Sequence, residues 1–326
     1  MPLPRALASI LPLRHPWNRC HRGLSVPRPA SDRYGHGKTK PTIIQSRMCS
    51  SESGETDTWR RMIRAKLAAC PGGSIDLNKC CETGIATVTI NNPKTRNAFS
   101  GSMMLDLADV VAELEIWKEG KGLLVHGADG FFSSGGDLST VWEIIDPVSG
   151  VQMSSLMQDT LQRLRRLPLI SVSVIQGSAR GGGAEIAMAT DFRIMTTSSY
   201  LAFLHSQLKV STVFGGGTIL TRLVGRSKAL DLLASGRHVG SEEALRIGLA
   251  DQVVPNGENV NDFGKTWLSR FTQGPVEVVH GMKSVVMAAS ELSVEESLDN
   301  ERRVFGTLWG SDVHKDIIDK IRKKLY

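Results

Sequence analysis

The sequence predicts an α/β fold of short strand–strand–helix units followed by a helical C-terminal region. Three observations predict it. Apolar β-branched runs at 85–90, 122–127 and 169–175 each end in a glycine- or asparagine-containing turn. Helical spacing then follows, as in Met103, Leu107, Val110, Val111 and Leu114. From Ser227 onward the remaining chain reads as nearly all helical. The repeats are too short for a doubly wound nucleotide fold.

Taken in order, residues 1–47 carry nine Lys or Arg against one acid, Asp32, a net +8 within the chain's total of +6. The rest is therefore slightly acidic, at −2, and nucleic acid loses its main support as a partner. The basic, acid-poor leader suits an organelle transit segment, with mitochondrion as that destination. Met48 offers a second start after it, and the expectation placed first is cytosol. No apolar run approaches the ~18–20 residues of a membrane span, so no membrane partner is expected. Hydrophobic content of 41% and charged content of 22% suit a globular domain with a sizeable core. Cys20, Cys49, Cys70, Cys80 and Cys81 show neither metal spacing nor a disulfide framework.

A short amphipathic helix is expected from Trp59 to Ala69, ended by Pro71-Gly72-Gly73. Strand 85–90 stops at Asn91-Asn92-Pro93, and Ser100 or Ser102 caps the next helix. Strand 122–127 leads into the turn Phe132-Ser133-Ser134-Gly135-Gly136-Asp137-Leu138. A helix with Met153, Met157, Leu161 and Leu164 on one face precedes strand 169–175. That strand opens into Gly177-Ser178-Ala179-Arg180-Gly181-Gly182-Gly183-Ala184-Glu185. Glycines at a strand-to-helix junction remove every Cβ and leave N–H groups unpaired at a positive dipole end. This is a site for stabilising an anion, and Glu185 falls in the first turn. Two such turns can aim two N–H groups at one oxygen, as thioester enolates require. Strands at Asp191–Met195 and Leu201–His205 follow. Alone, His205 suits a satisfied buried histidine and Lys283 a solvated lysine. Ser241 is expected to cap an acidic first turn, and Ser293 with Glu296 a capping box.

FSSGGDL at 132–138, GGGAE at 181–185 and DFRIMT at 191–196 resemble the enoyl-CoA hydratase/isomerase (crotonase) superfamily. PGGSIDL, INNPKTRNAFSGSMML, RLPLISV, IQGSARGGGAE and NERRVFGTLWG extend the resemblance over roughly 60–326. It implies a crotonase-like ββα spiral core at 58–225, a C-terminal helical oligomerisation region at 226–326, and residues 1–47 outside the fold. It places an oxyanion hole at Gly136 and Gly182, with Glu185 and His205 as catalytic candidates. Arg96, Asn97, Ala98, Asp137, Leu138 and Lys283 are its implied contacts to substrate CoA. It implies a homotrimer or hexamer, and no cofactor beyond the CoA of the substrate.

Within the superfamily the motifs are most similar to its decarboxylating branch. The implied reaction is loss of CO2 from a 2-alkylmalonyl-CoA, ethyl and also methyl, through a thioester enolate. The alternatives are an enoyl-CoA hydratase/isomerase or a non-catalytic acyl-CoA-binding paralogue. Gln207 aligns where hydratases place their second carboxylate, and an amide is no general base. Two departures mark the chain: Arg180 stands where that branch has Leu, and Lys209–Phe214 replaces a Gly- and Pro-containing turn. No His-Glu-x-x-His, Gly-x-Ser-x-Gly or Walker loop supports metal or nucleotide chemistry.

Overall fold

The computed structural model describes residues 53–257 and 259–325. The leader at 1–47 lies outside them. Helix α1 (Ser53–Ala68) sinks Ile63 and Leu67 into the core, and Pro71 follows its end. The hairpin of β1 (Ser74–Cys80) and β2 (Ile85–Asn91) is antiparallel, pairing Ile75 with Ile90 and Leu77 with Val88. Helix α2 (Gly101–Glu115) begins where the Ser100 hydroxyl accepts the Met103 N–H, as expected of that serine. Its stripe Met103, Leu107, Val111 and Leu114 is buried.

Strand β3 (Gly122–Gly127) runs parallel to β2, and the helices α3 (Leu138–Glu143) and α4 (Pro147–Arg166) follow it. Met157, Leu161 and Leu164 of α4 are core. Strand β4 (Ile170–Ile175) lies parallel to β3. The chain then leaves the main sheet at Gly177, whose φ is +61°, and forms β5 (Ser178–Arg180) in a second sheet. Helix α5 (Gly182–Ala187) starts one residue after it. The same excursion repeats with β6 (Phe192–Thr196) in the main sheet and β7 (Tyr200–Ala202) in the second.

Helices α6 (Gly216–Val224) and α7 (Arg226–Ser235) lead to β8 (His238–Gly240), helix α8 (Ser241–Ile247) and β9 (Gln252–Val254). The main sheet is ordered β1-β2-β3-β4-β6-β9 and the second β5-β7-β8. Four helices close the chain: α9 (Val260–Thr272), α10 (Val276–Glu291), α11 (Val294–Leu308) and α12 (Asp312–Leu325).

The stretch beyond 225 is nearly all helical, as expected, with two three-residue strands, β8 and β9, that join the second and the main sheet. Two expectations need correction. Ser241 is not a cap: Gly240 holds that position, and the Ser241 hydroxyl donates to the Thr197 carbonyl at 3.0 Å. The strand at 201–205 ends at Ala202, and Leu204–Ser206 turns as a 3₁₀ helix. The capping box at Ser293 and Glu296 is present with both bonds.

One buried cation ties β6 to the segments that lead into β6 and β9 within the main sheet. Arg193 on β6 is 2% exposed and donates to the carbonyls of Leu249, Thr190 and Asp191 and to the Asp251 carboxylate at 3.1 Å. Burial pushes its pKa down, opposed by the charges of Asp251 and Asp191. A buried guanidinium is tolerated here because its donors are shared among four acceptors.

Candidate active site

The site grows from the C-terminal ends of β3 and β4. After β3, the turn 133–137 is sewn to the loop 95–99 by five bonds. Ser134 donates through N–H to Arg96 O (2.9 Å) and through its hydroxyl to Thr95 O (2.9 Å). The Ser133 hydroxyl donates to Asn97 O at 2.7 Å. Phe99 N–H donates to Gly135 O (2.7 Å), and Asp137 N–H to Phe99 O (2.9 Å). The last two bracket Gly136 in a parallel bridge to Phe99. In that pattern the bracketed residue turns its own N–H away from the partner strand. Gly136 N–H is thus directed out of the loop pair.

After β4, Ser133 makes the same kind of bridge to Ala179, receiving Arg180 N–H at 3.0 Å and giving its own to Ser178 O at 3.1 Å. Gly181 N–H donates to Ala202 O, and Gly181 takes φ +48° and ψ −122°, a conformation open to glycine. Gly182 N–H is then the first orphan donor of α5. The two turns touch: a Cβ built on Gly135 would lie 3.6 Å from Gly182 N and 2.8 Å from Arg180 O. Gly136 and Gly182 are both partly exposed. The fold therefore brings the two glycine turns into contact, with Gly136 and Gly182 each partly exposed.

Glu185 and His205 are also brought together, with Oε2 of Glu185 3.0 Å from His205 Nε2. Glu185 is fully buried, and its carboxylate accepts the N–H groups of Phe214 (3.0 Å), Gly216 (2.8 Å) and Val213 (3.4 Å). Each oxygen has two partners, so the carboxylate is committed within the fold. His205 is 6% exposed, and its Nδ1 is a buried atom without a partner among the described residues.

The other expected residues divide. Arg96 is exposed, in left-handed backbone (φ 55°), with its guanidinium 5.9 Å from the Phe131 ring centre. Asn97 is fully buried and structural: its amide donates to Ala128 O and Phe131 O, and its Oδ1 accepts Asn92 N–H. Ala98 is buried beside it. The Asp137 carboxylate caps α3 by accepting Thr140 N–H at 3.0 Å. Burial works to raise its pKa, but hydrogen bonds from Ser139 and Thr140 prevail and lower it. Leu138 is 73% exposed next to Val141 and Trp142, an apolar rim beside Gly136.

Lys283 is not at this place. It pairs with Asp191, whose other oxygen accepts Ser171 N–H and its hydroxyl at the start of β4. The glycine turn follows the far end of that strand, four residues on at Ile175 and so about 13 Å away. Burial lowers the Lys283 pKa, with Asp191 opposing. Gln207 likewise turns away, its amide donating to Gly236 O at 3.1 Å, so no second group joins Glu185 from that position. Arg180 lies along the second sheet, bonded to Ser178 Oγ and 5.2 Å from the Tyr200 ring centre. Phe214 is the site residue that pattern reading missed; its ring packs on Gly182.

Two sheets wound in repeated strand–strand–helix turns, with paired glycine turns at the strand ends, are the architecture of crotonase-type proteins. The chain belongs to the enoyl-CoA hydratase/isomerase family, whose model matches residues 81–321. Among its relatives, an ethylmalonyl-CoA decarboxylase of Rattus norvegicus is 45% identical over 260 residues, covering 79% of this chain and 87% of the relative. One of Gallus gallus is 41% identical over 287 residues, covering 87% and 96%. An enoyl-CoA hydratase structure from Bacillus anthracis superposes with a TM-score of 0.71 at 21% identity, over 77% of this chain and 96% of that one. One from Thermoplasma volcanium gives 0.67 at 25%, over 76% and 96%.

Proposed function

We propose that the chain is a carboxy-lyase that removes CO2 from ethylmalonyl-CoA and from methylmalonyl-CoA. The observation that supports this is the contact between the two glycine turns that hold the partly exposed Gly136 and Gly182, together with a Gln207 amide bonded to Gly236 O, away from Glu185. In the proposed reaction the thioester oxygen lies between those donors. The C2–carboxylate bond breaks, its electron pair passes into the thioester, and the enolate oxygen is held by the two N–H groups. A proton then returns to C2. His205, whose buried Nδ1 has no hydrogen-bond partner among the described residues, is the candidate of its pair to return that proton. The departing carboxylate supplies the electrons, so no general base is needed.

Hydration asks for more, because water must be held and deprotonated. With Gln207 bonded to Gly236, only Glu185 stands at the hydratase positions, and it is engaged by backbone. Relatives carrying the name ethylmalonyl-CoA decarboxylase support the choice of substrate. Methyl and ethyl groups differ by one methylene, worth about 1–3 kcal/mol in an apolar pocket. The reaction calls for no cofactor beyond substrate CoA. A trimeric or hexameric assembly belongs to the same proposal: α11 has no buried residue, and it leaves Phe305 and Trp309 exposed. Cytosol is the proposed location, with mitochondrion as the alternative carried by the basic leader.

The test is a substrate panel with purified protein, following CO2 release and crotonyl-CoA hydration in parallel. CO2 release from ethylmalonyl-CoA with little hydration is expected. Robust hydration without decarboxylation overturns the reading, and binding without either reaction would identify an acyl-CoA-binding paralogue.

A further inference from the structure

Glu185 spends its carboxylate on one segment. Three of its four partners are backbone N–H groups within 213–216, the stretch that enters α6. The same segment is held from α4, where Ser154 Oγ and Gln158 Nε2 donate to Val213 O at 2.6 and 3.0 Å. Lys209–Phe214 contains no proline to restrict its backbone, so these pins set its path. What they position is Phe214. Its ring is 4% exposed and lies against Gly182: a Cβ there would meet three ring atoms at 2.7, 3.2 and 3.4 Å.

We infer that Phe214 is a specificity-determining wall for the 2-alkyl group of the substrate, and that Glu185 is a positioning residue acting through it. The inference rests on the decarboxylation reading above. An oxygen bonded to Gly182 N–H lies about 2.9 Å from that nitrogen. C2 lies about 2.4 Å from that oxygen across the thioester carbon. C2 thus lies within about 5.3 Å of the Gly182 nitrogen, on the residue against which the Phe214 ring packs, and an alkyl branch on C2 can extend toward that ring. An aromatic wall suits an alkyl branch, keeps water from the enolate, and limits chain length. Glu185 gains its importance from holding the wall.

The test uses the full chain and its variants Phe214→Ala, Phe214→Leu and Glu185→Gln. The readouts are kcat and KM for methyl-, ethyl-, propyl- and butylmalonyl-CoA, with calorimetric binding of butyryl- and hexanoyl-CoA, the corresponding products of the ethyl and butyl substrates. Phe214→Ala is expected to raise the butyl-to-ethyl ratio of kcat/KM at least about tenfold, mainly through KM. Phe214→Leu, a gentler change, must move it the same way. Glu185→Gln keeps one acceptor oxygen for Phe214 and Gly216 but sets an amide N–H against Val213 N–H. It is expected to move the ratio in the same direction by a smaller factor and to keep both limbs of the pH–rate profile.

A ratio within twofold of wild type in folded Phe214→Ala and Phe214→Leu overturns the wall. Loss of a pH limb in Glu185→Gln with selectivity unchanged overturns the positioning role and makes Glu185 a proton carrier. Absence of CO2 release by wild type on every substrate refutes decarboxylation instead. Binding then decides the wall alone: Phe214→Ala must tighten hexanoyl-CoA relative to butyryl-CoA about tenfold, and no change overturns it.

Discussion

Replacing Gly183 by Ala tests whether the two glycine turns work as one device. Gly183 sits in α5 with no left-handed backbone, so alanine brings no backbone strain there. What it brings is one methyl group, 2.7 Å from Ser133 Cβ, 2.8 Å from its Oγ and 2.9 Å from its carbonyl oxygen. Carbon atoms rest about 3.5–4.0 Å apart, so the turn must retreat by about 0.8 Å or more. Ser133 cannot retreat alone, because its backbone is bonded to Ser178 and Arg180 and its hydroxyl to Asn97 O. The turn carries Gly136 with it. An oxyanion donor acts only within about 2.7–3.1 Å of its oxygen, so the retreat removes one donor from range. The expected result is a fall of about 10²–10³ in kcat with KM little changed. Overpacking adds about 1–3 kcal/mol of destabilisation. At about 2–4 °C per kcal/mol for a domain of this size, that lowers Tm by roughly 2–12 °C. CO2 release at saturating ethylmalonyl-CoA and calorimetric melting read the two effects separately. Gly150→Ala is the control: it is also helical, nothing lies within 4 Å of its Cβ, and it should stabilise by about 0.5–1 kcal/mol. Full kcat in Gly183→Ala would refute the coupling of the turns.

Arg193→Ala should cost about 1–3 kcal/mol or more, because it leaves the carbonyls of Leu249, Thr190 and Asp191 without the guanidinium that satisfies them, while exposed Asp251 keeps the backbone N–H of residue 193; urea unfolding measures it. Asp146 caps α4 and is also bonded to Lys66, and hydrogen bonds from Ser149 hold its pKa at about 2 against an ordinary 3.8. Its folded pKa is the lower one, so its contribution is complete above about pH 4 and is lost as pH falls through 2. Asp146→Asn should remove that part of the acid sensitivity of Tm, and an unchanged Tm–pH curve would count against it. Sedimentation at micromolar concentration should give a trimer or hexamer, and a stable active monomer would dispose of the assembly proposed for α11.

Much of the fold was legible because its central strands are buried on both faces. Leu123, Leu124 and Val125 on β3, and Val172 and Val174 on β4, leave little alternative to a core strand. Strand β1 escaped notice because it is an edge with Asp76, Asn78 and Lys79 along it, and only Ile75 is buried. Strands β5, β7 and β8 have three residues each, too few for a period, and exist through β7 pairing with β5 across 22 residues of chain and with β8 across 36 to 40. Ser241 carries the composition of a cap, but Thr197 claims its hydroxyl from 44 positions away.

The site divides along the same line. The glycine turns that hold Gly136 and Gly182 were legible because runs of glycine at strand ends mark them locally, while the choice of these two as donors came from the family resemblance. Side chains advertise chemistry but not address. Lys283 has the charge for a phosphate, yet helical spacing cannot say which end of a sheet it reaches, and within the chain Asp191 holds it at the start of β4. Glu185 has the charge for catalysis, yet three N–H groups 28 to 31 residues ahead consume it. Those donors belong to backbone, which any sequence would supply, so no residue type in 213–216 announces them. The one side chain in that segment with a visible consequence is Phe214, which reads as ordinary core until Gly182 is found beneath its ring. A carboxylate beside an oxyanion donor can therefore serve the reaction through packing alone, and the selectivity ratio of Glu185→Gln separates that role from proton transfer.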